Sequence, residues 1–270
     1  FSNNYAEKGG DIYNKGTLSI SKSTFGYVPK TVYMFSGVTP IYTISSGSTY
    51  SNSDENGTTS TYIVNYIPPE KIKYEVVKTV VGSSAIQGGA IFNEGVITSI
   101  LSSTFNGLTA LEGGAIYNDT EGKITLIKST KFVSSSAKNP DTNGIEEALG
   151  GAIYSKGNII LQQSTFKGNY SADKGGAIYI SEGVISDTKS TFSGNYSELG
   201  GAVFLDSDGS ATLNSTTFIL NNAYSTETIT DDDGNVSTSL VLTDGGAIYN
   251  KGTLNLNSVT FGNKIWNRNI

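Results

Sequence analysis

The chain holds few groups that could do chemistry, and their spacing decides what they could be. "TDDDGNV" puts Asp231, Asp233 and Asn235 at alternate positions, as in the first half of a Ca²⁺ loop that draws oxygen ligands from every second residue. The Glu that completes such a loop is missing downstream. "TETIT" and "VSTSLVL" flank the segment and alternate as paired strands would, so a hairpin turn is the preferred reading. Asp231, Asp233 and Asn235 stay as metal candidates beside it. "LDSDGSATL", with Asp206 and Asp208, also reads as a turn. There is no His and no Cys, which removes the commonest general base, thiolate nucleophiles, disulfides and Cys-based zinc sites. Arg268 is the single arginine. No catalytic residue and no cofactor is expected.

Aromatic side chains offer a different chemistry. Tyr117, Tyr154, Tyr179 and Tyr249 each follow a "GGAI" tetrapeptide, and Tyr50, Tyr62 and Tyr66 lie in an unrelated stretch. Tyrosines in a row on an outer surface could hold sugar rings, and these seven are the candidate ligand-binding residues. The alternative is that such a row only ties neighbouring chain segments together. A net charge of −6 and a pI near 4.8 argue against nucleic acid as a partner.

These residues are positioned by a repeat, and repeats must be found first. Gly-Gly pairs begin at Gly9, Gly88, Gly113, Gly150, Gly175, Gly200 and Gly245. Phe25, Phe105, Phe132, Phe166, Phe192, Phe218 and Phe261 follow them at offsets of 16, 17, 19, 16, 17, 18 and 16. The way back to the next pair is 8 or 9 residues in three units, but 63, 18 and 27 in the others. The unit is therefore about 25 residues, and every long insertion enters on the return leg. All five prolines lie in insertions, because Pro cannot donate to a strand ladder. The chain opens and closes inside a unit, and natural solenoids carry caps, so a slice of a longer protein is expected.

Each unit offers three short β-prone segments, such as "AIYN", "TLNL" and "STF", separated by Gly, Asn, Ser and Lys. Three strands in about 25 residues without a helical period describe one coil of a parallel β-helix, stacked on the next at about 4.8 Å. The Ile column from Ile12 to Ile248 is expected inside, as is the Phe column. Asp11 shares a column with Ala90, Ala115, Ala152, Ala177, Ala202 and Ala247. An unpaired Asp is costly inside, so that column is placed outside. Alternation then exposes the aromatic column that follows. The Gly pairs, with Gly89, Gly114, Gly151, Gly176, Gly201 and Gly246 as second members, are expected at sharp corners. Asn169, Asn195 and Asn221, each three residues after Phe166, Phe192 and Phe218, are expected to stack as an amide ladder. Ice binding through the Thr column is not favoured, because the position two residues earlier is Lys, Ser or Gln.

Alternating "GGA[I/V]" and "FxxN" tetrapeptides resemble the repeats of chlamydial polymorphic outer-membrane proteins. The resemblance spans roughly residues 1–25 and 88–266, though "FNGL" and "FVSS" lack the Asn. It implies a right-handed single-stranded β-helical passenger at the cell surface, often an adhesin or autotransporter.

The expected fold is thus an all-β, right-handed parallel β-helix over residues 1–270, with insertions at one corner. Residues 26–87 are an inserted β-rich loop or subdomain, or degenerate coils. The expected function is a surface-exposed, non-catalytic adhesin that binds a host protein or glycan through those insertions, as a monomer or part of a longer surface chain. A stalk without binding activity and a polysaccharide-active enzyme or tailspike are the alternatives. No stretch of about 18 apolar residues predicts a bilayer-spanning helix.

Overall fold

Seven glycine pairs lie one above another, each bonded to the next: Gly89 N–H donates to the Gly113 carbonyl at 3.3 Å, Gly114 to Gly150 at 3.1 Å and Gly176 to Gly200 at 3.2 Å. They form one edge of a parallel β-helix. A computed structural model describes residues 4–26, 84–138, 146–230 and 236–262, and the strand backbones Tyr33–Phe35 and Lys71–Lys73. Among these residues there is no helix. Among the described residues no helix is long and apolar enough to cross a membrane, which leaves β-barrel spans untouched.

The solenoid unit comprises Phe1–Val28 and Val80–Ile270. A typical coil runs through Ile153–Ser155, Asn158–Gln162, Thr165–Lys167 and Tyr170–Ser171. The next coil then places Ile178 beside Ile153 and Phe192 beside Phe166. Among its described residues this unit has four sheets, not three. The first three, here called the aromatic, aliphatic and phenylalanine sheets, are all-parallel and seven-stranded. The fourth, the return sheet, is built from the short leg between Phe and the glycines. Its strands, such as Thr109–Ala110 and Tyr196–Ser197, are two residues long in most coils, too short for alternation to announce them.

Corners follow from backbone sterics. Gly175 has φ +67°, and a Cβ on Gly176 would sit 2.2 Å from the Gly201 carbonyl oxygen, so no larger residue fits this edge. The corner before the phenylalanine sheet uses residues other than glycine. Lys22, Ser102, Ser129, Gln163, Lys189, Ser215 and Ser258 all take φ between 47° and 64°. The left-handed form costs these residues of order 1 kcal/mol. In the first six the N–H donates to a carbonyl of the next coil, as in Gln163 to the Thr188 carbonyl at 2.9 Å. Uneven Gly-to-Phe offsets have local causes. Val96–Leu101 and Lys123–Lys128 are six residues long and carry a matched register shift, Ile124 to Ile159 but Ile127 to Leu161.

The main core joins the Ile, Phe and Leu columns, with Ala90, Ala115, Ala152, Ala177 and Ala202 fully buried among them. The Ala column therefore lies inside, against the expectation. The reason is the corner itself. Ala90 and Ile91 N–H both donate to the Ala115 carbonyl, so the chain bends there and in-out alternation does not run through it. Asp11, which suggested the opposite, sits in the first coil and accepts a 2.6 Å bond from the Asn4 amide.

Residues 29–79 form a second compact unit. Within it Tyr33–Phe35 pairs antiparallel with Lys71–Lys73. Strands on either side of the insertion are direct neighbours, Tyr5 beside Ser84 and Phe25 beside Phe105, so no coil intervenes between them. The other insertions leave the same leg. One follows Ser136–Ala137, and one is a hairpin of Asn222–Thr230 with Val236–Leu242.

Candidate functional site

The aromatic ladder is real but not exposed. Phe92, Tyr117, Tyr154, Tyr179 and Phe204 stack at centroid separations of 4.7–5.2 Å. Tyr117 is 2% exposed, and Tyr154 and Tyr179 are 5%; Tyr249 is partly buried. Alternation does turn these rings away from the main core. They make a second apolar strip with Leu149, flanked by Leu199. Stacking hides the ring faces, and two rails of side chains close over the edges. On one side Lys8 lies 4.5 Å from the Phe92 centroid and Lys174 lies 5.7 Å from that of Phe204. On the other, Lys156 lies 5.8 and 5.9 Å from the Tyr117 and Tyr154 rings. Such lysines lay their aliphatic stems on aromatic surface and keep the ammonium wet.

Burial dominates the chemistry of this row. It pushes the Tyr154 hydroxyl up to about 12, with a Ser181 hydrogen bond working against it. Tyr117 and Tyr179 rise further, first by burial, then by Glu112 near Tyr117 and by Asp206 bonded to Tyr179 at 2.6 Å. Asp206 is pushed up by its own partial burial, but the Tyr179 bond and the Ser207 N–H bring it below the usual carboxylate value. Its segment is a turn, Gly209 N–H donating to the Asp206 carbonyl at 3.0 Å.

Two amide ladders lie in the corners. The Asn195 amide nitrogen donates to Asn221 Oδ1 at 2.9 Å and to the Phe166 carbonyl at 3.0 Å, while Asn195 Oδ1 accepts from the Asn169 amide at 2.9 Å and its backbone N–H at 3.0 Å. Asn169 and Asn195 are fully buried, so neither "NYS" can carry a glycan in the folded chain. The second ladder runs Asn14, Asn93, Asn118, Ser155 at 2.7, 2.7 and 3.2 Å. It was legible in "IFN" and "IYN", where Asn recurs just after the aromatic column.

The outward face of the return sheet is where side chains stay available. Tyr170 stacks on Tyr196 at 4.6 Å, and Tyr196 on Tyr224 at 5.7 Å; all three are half-buried. Burial raises the Tyr170 and Tyr196 hydroxyls, each helped by the next tyrosine. Tyr224 pairs with Leu242 across the hairpin, and from there the same face continues through Leu240 and Val236. Leu242, Leu240 and Val236 are 87%, 69% and 67% exposed. The sequence held a signal for this stack: a Tyr follows the ladder Asn in "NYS" twice and in "NNAYS". Of the other candidates, Tyr50, Tyr62 and Tyr66, and Asp231, Asp233 and Asn235, lie outside the described residues. The strands flanking the last three pair as a hairpin over seven register positions, Tyr224 with Leu242 through Thr230 with Val236. Among the described residues, no group of three or more acidic side chains could hold a metal ion.

No curated protein and no solved structure matches the chain. Residues 163–181 match the family model of the Chlamydia polymorphic membrane protein repeat. That span contains Phe166, Asn169 and the Gly175–Gly176 pair, the ladder and corner residues of one coil. The chain is a parallel β-helix that carries a chlamydial polymorphic membrane protein-type repeat.

Proposed function

We propose that this β-helix is a non-catalytic adhesin scaffold at a cell surface, binding a host protein or glycan through the segments inserted on its return leg. The observation that carries this reading is a contrast in exposure. The repeated Ile, Phe, Tyr, Asn and Gly columns are used up by contacts between coils. The return leg instead ends in the Tyr170–Tyr196–Tyr224 stack and a hairpin whose outer strand is exposed along its whole length. A rigid scaffold with variable segments on one leg is the arrangement in which insertions carry binding. The repeat in residues 163–181 supports a surface location, since its family is described as a membrane protein family. Residues 27–83, the part of the 26–87 stretch outside the solenoid strands, are read as the largest of the inserted recognition segments. The buried Tyr117, Tyr154 and Tyr179 offer no open ring face for a sugar, so their role is taken as structural.

The test uses the full chain, a version with Ser225–Val241 replaced by a short Gly-Ser turn, and a version with residues 27–83 replaced likewise. Binding to a panel of epithelial cells and immobilised glycans is measured for each. The full chain is expected to bind, and at least one replacement is expected to lose binding while keeping its β-rich circular dichroism. Unchanged binding in both versions, no binding by the full chain, or cleavage of any glycan would each reject the reading.

A further inference from the structure

Among the described residues the outer hairpin strand Val236–Leu242 has one edge paired and one edge open. Its partner is Asn222–Thr230, and among the described residues no strand lies on its other side. All seven of its residues are exposed. An open edge presents a row of unpaired N–H and C=O groups, and proteins usually blunt it with Lys, Pro, a bulge or a short strand. "VSTSLVL" has no charge and no Pro, and its pairing with the inner strand runs without a register break.

We propose that this edge pairs, antiparallel and about a two-fold axis, with the same strand of a second copy of the chain. The strand is complementary to itself. Centred on Ser239, the pairing sets Val236 against Leu242, Ser237 against Val241 and Thr238 against Leu240. Apolar side chains meet apolar ones at the ends, and no charge meets a like charge, although the chain as a whole carries −6. A two-fold contact demands such self-matching, because each residue meets its partner twice. The axis is normal to the sheet, so positions 236, 238, 240 and 242 of both copies share one face. The Tyr224–Leu242 stripes of the two copies then run side by side as one doubled surface. A seven-residue edge buries less than the roughly 1,600 Å² of a standard interface, so the dimer is weak and reversible. The proposal stands apart from the adhesive reading, since particle mass and not ligand binding reports on it.

Light scattering after size exclusion, from dilute to the most concentrated solution the chain tolerates, is expected to show a monomer–dimer equilibrium. One variant carries Thr238→Lys with Leu240→Lys, and another carries Thr238→Glu with Leu240→Glu. Thr228 and Thr226 oppose these positions within the hairpin, so neither variant finds a charge inside its own chain. Each alone is expected to be monomeric, and an equimolar mixture is expected to restore the dimer. Register is read separately. The chain has no Cys, so Ser239→Cys supplies a unique thiol that meets its symmetry mate about 4.5–5.5 Å away between Cα atoms, within disulfide reach. Ser237→Cys places its thiols about 13 Å apart. Rapid oxidative cross-linking of the first and not the second is expected. A native chain that stays monomeric, charged variants that still dimerise, a mixture that stays monomeric, or preferential cross-linking at position 237 would each overturn the proposal.

Discussion

The Thr216 hydroxyl donates a 2.5 Å hydrogen bond to the Asp187 carboxylate, and Asp187 sits in the inward column of the aliphatic sheet. Its neighbours in register are Leu161 and Leu213, and it is 0% exposed. Ser190 N–H is a second donor at 3.3 Å. Burial pushes the carboxyl up, with the Ser190 and Thr216 bonds only partly opposing it. In the unfolded chain the group titrates at the usual carboxylate value. Between the two values the folded chain holds the extra proton, so this group's contribution is complete below the unfolded value and is lost as pH rises through the raised one. Asp187→Asn is expected to remove that slope, which reaches at most about 1.4 kcal/mol per pH unit. Denaturant unfolding of both proteins from pH 3 to 8 checks it, and parallel curves would dismiss a titrating Asp187.

The buried tyrosines predict the opposite end of the pH scale. With the Tyr154 hydroxyl held near 12 and Tyr117 and Tyr179 above it, the stability they contribute is present below about 10 and lost as pH rises beyond it. Absorbance titration should show these phenols ionising together with unfolding, whereas exposed tyrosines titrate freely. Replacing all three by Phe keeps the stack and is expected to raise the pH midpoint of alkaline unfolding.

Asn195→Ala strips two donors and an acceptor from a buried corner. It takes the Asn195 contact from the Phe166 carbonyl and the Asn169 backbone N–H, while the Asn169 amide keeps its 3.1 Å bond to the Phe132 carbonyl. With each of these two groups costing about 1–3 kcal/mol, a loss of at least about 2 kcal/mol is expected by urea denaturation. A loss below about 1 kcal/mol would mean that the corner relaxes.

Gly176→Ala is expected to be worse than a change in the core. The added carbon has only the Gly201 and Tyr196 backbones to displace, so two coils must separate. Phe166→Ala, by comparison, leaves a cavity costing about 3–5 kcal/mol. Thermal unfolding of the two variants should rank glycine below phenylalanine.

Much of the fold was legible because a stacked coil forces the same residue type into the same place in every turn. Gly175 and Gly176, Phe166 and Asn169 recur for that reason, and their roles could be inferred from spacing alone. The exposure of Tyr154 could not. Whether a ring that points away from the core is wet depends on what Lys156 and Leu149 do beside it, and those residues vary from coil to coil. Likewise Ala152 lies inside where alternation would put it outside, because alternation assumes an extended chain and the bend after Gly151 breaks it.

The sequence by itself determined a coil of about 25 residues, its glycine corners, its inward Ile and Phe columns, and the leg that tolerates insertions. Backbone sterics and in-register stacking leave these little freedom. Only the tertiary structure decided that a fourth sheet forms from two-residue strands, that the tyrosine ladder is roofed over, that Asp187 lies in the core, and that Val236–Leu242 is an edge strand among the described residues. Each of those depends on contacts between residues far apart in the chain, which no local pattern encodes.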